Sequence, residues 1–204
     1  MNSREARLMR YLVRFCGALS FLLTTLPGYA GTNSLEMTVS TTITPSTCQA
    51  TLHDDSGKAN SIVDVGDVYI SQLVNKTNSR AFSLVFSNCV GLAKKQATVT
   101  LTAKTGCDGA SGGGNGFRNA LNGSDDAANV SAEIWTTSTP AGSGSKQLSC
   151  ASPTQQLVSL AQVSDETTVV LPFSARIVLA SGSTIADLHT GSFSTQGLFT
   201  INYE

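Results

Sequence analysis

An alternating segment at residues 193–204 (FSTQGLFTINYE) constrains the fold of this chain more than any other feature. It places four apolar residues on one face, Phe193, Phe199, Ile201 and Tyr203, and polar residues, Ser194, Gln196, Thr200 and Asn202, on the other. Alternation with a period of two is typical of a half-buried β-strand. Because no later segment is present to cover this strand, we expect a different strand to pair with its free edge.

A second alternating segment near the start of the chain could supply that partner. Residues 34–44 place Leu35, Met37, Val39 and Ile43 on one face, against serine, threonine and glutamate on the other. We predict that residues 31–44 form a donor-strand extension, which would let one copy link to the next. The alternative is that this segment is the first strand of a complete domain.

The first thirty residues resemble an export signal. Arginines precede an apolar stretch at residues 15–26, and Gly28-Tyr29-Ala30 gives a small-x-small cleavage pattern. The apolar stretch is shorter than the roughly 20 residues that a membrane-spanning helix needs. We therefore predict a cleaved signal peptide at 1–30, with an uncleaved membrane anchor as the alternative.

The composition of the remaining chain indicates one exported domain and disfavours nucleic acid as its partner. Without the four arginines and the single glutamate of the first thirty residues, nine basic and thirteen acidic residues remain. This acidic balance disfavours nucleic acid as a partner. Four cysteines also remain, which in an oxidising compartment usually means two disulfides, and sequence alone allows three pairings.

Short segments separated by turn residues predict an all-β sandwich in a domain at 45–204. A region rich in glycine, asparagine and aspartate, residues 105–129, is expected to form a long loop. The predicted strands, besides the terminal one, are Thr41–Leu52, Val63–Leu73 with a bulge at Gly66, Phe82–Cys89, Ala97–Lys104, Val130–Trp135 and Val169–Leu179.

Taken together, these features resemble the subunits of chaperone-usher pili, in the type 1 fimbrial branch. The resemblance depends on the signal peptide, the alternating extension, Cys48, the Phe-x-Leu-x-Phe-x-x-Cys stretch that ends at Cys89, and the penultimate Tyr203. Gly191, fourteen residues from the end, also matches. The similarity extends over essentially all of the chain after the signal peptide.

The resemblance implies an incomplete immunoglobulin-like sandwich that lacks its last strand and carries a free N-terminal donor strand. It also implies a Cys48–Cys89 disulfide and export through the periplasm to a surface fimbrium. The implied partners are a periplasmic chaperone, an outer-membrane usher and other pilus subunits. The terminal strand would bind the chaperone and the next subunit, through Gly191, Phe193, Gly197, Phe199, Ile201 and Tyr203.

Two departures from the family pattern favour a minor fimbrial subunit. Thr41 occupies the middle of the donor segment, where related subunits often have glycine. Cys107 and Cys150 flank the loop region outside the shared pattern. A bridge between them would stabilise the fold by about 4 kcal/mol on the chain-entropy model, and two free thiols are the alternative.

No pattern in the sequence predicts an enzyme, a cofactor or a metal site. His53 and His189 are the only histidines, and both are expected in solvated turns. No nucleophile elbow, zinc motif or redox motif accompanies them. The alternative function is a tip-located subunit that binds a host glycan or protein through residues 105–150, where Trp135 could stack on a sugar or simply occupy an edge strand.

Overall fold

The computed structural model describes residues 39–41, 47–164 and 166–204, and the chain divides into two units, Met1–Thr42 and Ile43–Glu204. Within the first unit, the described residues are exposed and form no strand. The predicted signal peptide lies outside the described residues, as do Leu35, Met37 and Ile43 of the predicted donor segment.

The second unit is built from two antiparallel sheets. Sheet A has the strand order β1-β2-β8-β5-β4, with β6 also paired to β5, and sheet B has the order β7-β3-β9. The strands are β1 Thr47–His53, β2 Arg80–Val90, β3 Gln96–Ala103, β4 Phe117–Arg118, β5 Val130–Trp135, β6 Gln147–Leu148, β7 Gln155–Ser159, β8 Val169–Leu179 and β9 Gly197–Tyr203. Helix α1 spans Ile70–Asn75, and 3-10 turns occur at Ala110–Gly112 and Ile185–Asp187.

This topology is that of an immunoglobulin-like sandwich with one strand missing. Such sandwiches place four strands, A-B-E-D, in one sheet and C-F-G in the other. In the order of strands across the sheets, β1, β2, β8 and β5 take the places of A, B, E and D, while β3 and β9 take the places of C and F. In the described part of the chain no strand occupies the G position beside β9.

The core lies between the sheets because β2 and β3 each turn alternate apolar side chains inward. Phe82, Leu84 and Phe86 of β2 are buried, as are Ala97, Val99 and Leu101 of β3. Both cysteine pairs are disulfides, Cys48–Cys89 and Cys107–Cys150, and all four cysteines pack against or within this core.

A charged cluster covers part of the other face of sheet A. Arg176 Nε donates to Glu133 Oε2 at 2.6 Å, and both side chains are about one-tenth exposed. Trp135 Nε1 donates to the same carboxylate oxygen at 3.0 Å, and the Arg176 guanidinium lies 5.0 Å from the centroid of the Trp135 ring. Lys76, just after α1, is 3.7 Å from the second oxygen of Glu133. The Glu133 carboxylate therefore interacts with Arg176, Trp135 and Lys76 together.

The prediction of a strand at Val63–Leu73 was wrong, because turn chemistry and helical spacing override its β-branched composition. The amide of Gly66 donates to Asp64 Oδ1 at 2.8 Å, and Gly66 has φ +72°, which ends any extended run there. The chain then enters α1, which buries Leu73.

Two smaller predictions were also wrong. His53 is the last residue of β1 rather than a turn residue, because it still pairs with Ser83 of β2. Its side chain is held on both sides, with Nδ1 bonded to the carbonyl of Gly57 at 2.9 Å and Nε2 to Thr51 Oγ1 at 3.0 Å. Trp135 does not lie on an edge strand, since its strand β5 pairs with both β8 and β6 there. In the described part of the chain we find no helix with the length and apolarity to cross a bilayer.

Candidate strand-binding groove

An open groove of about 530 Å³ separates the edge of sheet A at β1 from the edge of sheet B at β9. The strands on its two walls belong to different sheets and do not pair with each other. None of the residues that line it is charged. They are Ala50, Thr51, Leu52, Ala59, Asn60, Ser61, Leu84, Gly197, Leu198, Phe199 and Ile201. The groove therefore suits a neutral, largely apolar ligand.

The backbone of β9 offers a row of free hydrogen-bonding groups to this groove. The amide of Glu204 donates to the Gln96 carbonyl at 2.9 Å, and the amide of Lys104 donates to Gln196. Hydrogen-bonded pairs alternate along an antiparallel ladder, so every second residue of β9 bonds to β3. The intervening residues, including Phe199 and Ile201, direct their N–H and C=O groups away from β3 and toward the free edge.

The floor of the groove is the sandwich core itself. Leu84 of β2 is 3% exposed and lies at the base. Phe199 packs against two core rings, with its centroid 5.3 Å from Phe173 and 6.5 Å from Phe82. An apolar side chain that entered the groove would thus contact the core directly.

Two hydrogen bonds lie at the ends of the groove, one across it and one on its β1 side. At one end, the Tyr203 hydroxyl donates to the Cys48 carbonyl at 3.2 Å, which links the two sheets beside the Cys48–Cys89 disulfide. Burial raises the pKa of the Tyr203 phenol. At the other end, the amide of Asn60 donates to the Leu52 carbonyl at 2.9 Å and covers part of the β1 edge.

The structure separates the predicted terminal-strand residues into two groups. Gly197, Phe199 and Ile201 line the groove, and Tyr203 closes its end. Phe193 instead packs against both the main core and a smaller cluster of buried residues, Leu73, Ala127 and Val130. Gly191 lies in an isolated bridge region against the 125–126 backbone, where any Cβ would overlap the Asp125 carbonyl.

Of the predicted donor residues, Val39 and Thr41 are the two that lie in the described part of the chain. Val39 is 77% exposed and Thr41 is also exposed, and neither lies in a strand. Their role in filling a groove therefore stays a prediction.

The 105–150 region is held by contacts that sequence reasoning missed. Asp108, only 5% exposed, accepts from the amides of Gly116 at 3.0 Å and Ser181 at 2.9 Å. These partners lie 8 and 73 residues away in the chain, so no local spacing signals them. Gly114 and Gly116 leave room for the Asp108 carboxylate, because a Cβ at either position would overlap it.

The lining of the groove contains neither a charged side chain nor a histidine. Within the described ranges, no three histidine, cysteine or acidic side chains are grouped so as to hold a metal ion. Free main-chain groups beside an apolar slot are the features by which sheets accept an additional strand.

Comparison with known proteins gives one relative with high coverage. The uncharacterized fimbrial-like protein YadL of Escherichia coli (strain K12) is 37% identical over 195 residues, which cover 96% of this chain and 96% of that protein. Among solved structures, the P pilus rod subunit PapA has a TM-score of 0.46 at 18% identity, covering 77% of this chain and 99% of PapA. The CupB6 tip adhesin from Pseudomonas aeruginosa has a TM-score of 0.41 at 15% identity, covering 61% of this chain and 30% of the adhesin. No protein-family model matches the chain.

Proposed function

This chain belongs to the fimbrial-like protein family, and from that premise we propose that it is a structural pilus subunit assembled by donor-strand exchange. The observation that supports the proposal most is the uncharged groove between β1 and β9, which has free main-chain groups on one wall and the core as its floor. A strand from another subunit would take the vacant G position.

The predicted donor segment of a second copy has the right length and polarity for this groove. Strand β9 has seven residues, or about 23 Å at roughly 3.3 Å per residue. Residues 35–43 would span about 30 Å, enough to cover the groove from end to end. Their apolar side chains would meet Leu84, Phe199 and Ile201, and no charge on either side would be buried.

The magnitude of this interaction decides whether it can hold a fibre together. Burying Leu35, Met37, Val39 and Ile43 contributes roughly 1.5–3 kcal/mol each, or about 6–12 kcal/mol before ordering costs. Domains of this size are stable by roughly 5–15 kcal/mol. The domain with an empty groove is therefore expected to be much less stable than the domain with a bound donor strand. Before assembly, a strand from a periplasmic chaperone would fill the same groove. An outer-membrane usher would then deliver the subunit to the next one at the cell surface.

A donor-complemented chain tests the proposal. A copy of residues 34–44 is fused after Glu204 through a flexible linker and compared with a chain that lacks residues 31–44. We expect the fused chain to melt at least about 10 °C higher, since each kcal/mol shifts the melting temperature by roughly 2–4 °C. The matched control carries Met37→Asp and Val39→Asp in the fused copy only. Equal melting of fused, control and deleted chains would refute donor complementation.

The adhesive alternative places a receptor site in the 105–150 region. The observation in its favour is that the Cys107–Cys150 disulfide and the Asp108 hydrogen bonds fix this region on the domain. A glycan array probed with the donor-complemented chain tests it. Binding that is lost on changing Trp135 to alanine would support a tip role, whereas no binding would leave the structural role.

A further inference from the structure

Sheet B has a second open edge, at β7, on the side away from the groove. Strand β7 pairs only with β3, in the register Ala97 to Val158, and no other described strand lies beside it. The edge at β9 is the one that the proposed donor strand would occupy. The edge at β7 is consequently available in a fibre as well as in a single subunit.

The ladder geometry shows which groups β7 presents outward. The amide of Leu160 donates to the Lys95 carbonyl at 2.7 Å. By the alternation of an antiparallel ladder, Val158 and Gln156 also bond to β3. Gln155, Leu157 and Ser159 therefore direct their N–H and C=O groups to the open edge.

This edge lacks the features that normally prevent strand addition. Exposed edges are usually protected by charged side chains, proline or bulges. Strand β7 reads QQLVS, without a charge or a proline, and its register with β3 is continuous. Leu157 is 69% exposed on the outer face of the sheet, where neither β3 nor β9 carries an acidic or basic residue.

We propose that β7 pairs edge to edge with β7 of a second copy of this chain, antiparallel and about a two-fold axis at Leu157. In this register the two Leu157 residues face each other, and Gln155 of one copy faces Ser159 of the other. Two copies of β7 can pair in this way because the strand has no charged residue, so no like charges would be brought together. Pro153 lacks an N–H and ends the ladder just beyond these residues.

The small size of the β7 contact means that its effect differs between isolated subunits and subunits in a fibre. Five residues on each side bury far less than the roughly 800 Å² per partner of a stable interface, so isolated subunits should dimerise only weakly. Subunits repeated along a fibre would engage many such contacts at once, and their avidity would greatly exceed the affinity of one pair. This part of the inference rests on the proposed fimbrial function, and it predicts lateral association of fibres.

Cysteine cross-linking of the full chain, purified from the periplasm, tests the pairing directly. We expect Leu157→Cys to form disulfide-linked dimers under mild oxidation at least ten times faster than Thr200→Cys, a matched exposed position on the same face of the sheet. A mixture of Gln155→Cys and Ser159→Cys chains should cross-link at least several times faster than either alone. Equal rates for Leu157→Cys and Thr200→Cys, or no gain in the mixture, would overturn the proposal.

The measurement also separates this inference from the proposed function. Circular dichroism and peptide mapping of the two native disulfides establish that each variant is folded before cross-linking is scored. Absence of dimers from folded chains counts against the β7 pairing and leaves the groove unaffected. Failure of the fused donor segment to raise stability counts against the groove, and the cross-linking rates can still be compared.

Discussion

Replacing Phe199 by alanine should remove a large part of the stability of the sandwich. The Phe199 ring contacts both Phe82 and Phe173, and each aromatic pair is worth about 0.5–1.5 kcal/mol beyond the buried area. Truncation of a buried phenylalanine to alanine costs roughly 3–5 kcal/mol. Because Phe199 is partly open to the groove, we expect the lower end of this range, about 3 kcal/mol.

The matched control is Thr200→Ala on the same strand. Thr200 is exposed and its pairing with β3 uses only the backbone, so its truncation should cost less than about 0.5 kcal/mol. Urea unfolding of both variants, with and without the fused donor segment, gives the two free energies of unfolding. The cost of Phe199→Ala should be larger in the fused chain, because the donor strand covers the rest of the ring.

Two results would contradict this reasoning. A cost for Phe199→Ala within about 0.5 kcal/mol of the Thr200→Ala cost would mean that the three-ring contact does not hold the sheets together. A cost that is the same with and without the fused segment would mean that the donor strand does not reach the ring.

Three further predictions concern single contacts. Tyr203→Phe should cost about 1 kcal/mol by loss of one hydrogen bond. It should also make the loss of stability at alkaline pH less steep. The raised pKa of the Tyr203 phenol stabilises the fold below about pH 10, and that contribution is lost as the pH rises through the folded-state pKa. Removing the Cys107–Cys150 bridge by a double alanine change should cost about 4 kcal/mol in denaturant unfolding. Arg176→Ala should cost about 3 kcal/mol or more in thermal unfolding, since it leaves Glu133 largely buried without its closest cation.

The sequence predicts best where one face of a strand is buried and the other is not. The alternation of β2, β3 and β9 places Phe82, Leu84, Val99 and Ile201 on the side where the structure has them. Period-two patterning of this kind depends only on local geometry, so no knowledge of the partner strand is needed.

The sequence predicts poorly where long-range polar contacts decide the structure. Both Glu133 and Arg176 lie in strands whose two faces are buried, and they meet across 43 residues of chain. The hydrogen-bond partners of Asp108, the amides of Gly116 and Ser181, are brought to it only by the folded structure. Strand β7 was not predicted at all, because five neutral residues between turns give too short a pattern to distinguish from a loop.

The pairing of β3 with β9 has a consequence for how fast this domain can fold. Thr102 and Leu198 are neighbours in the ladder although 96 residues separate them, and closing such a loop costs entropy before any contact compensates for it. Folds dominated by pairings of this kind fold in milliseconds to seconds, far more slowly than helical domains. During that interval the edge of β3 is open to strands from other chains. Refolding at increasing protein concentration should therefore give an increasing fraction of aggregated protein, because the edge of β3 stays unpaired until β9 adds to it.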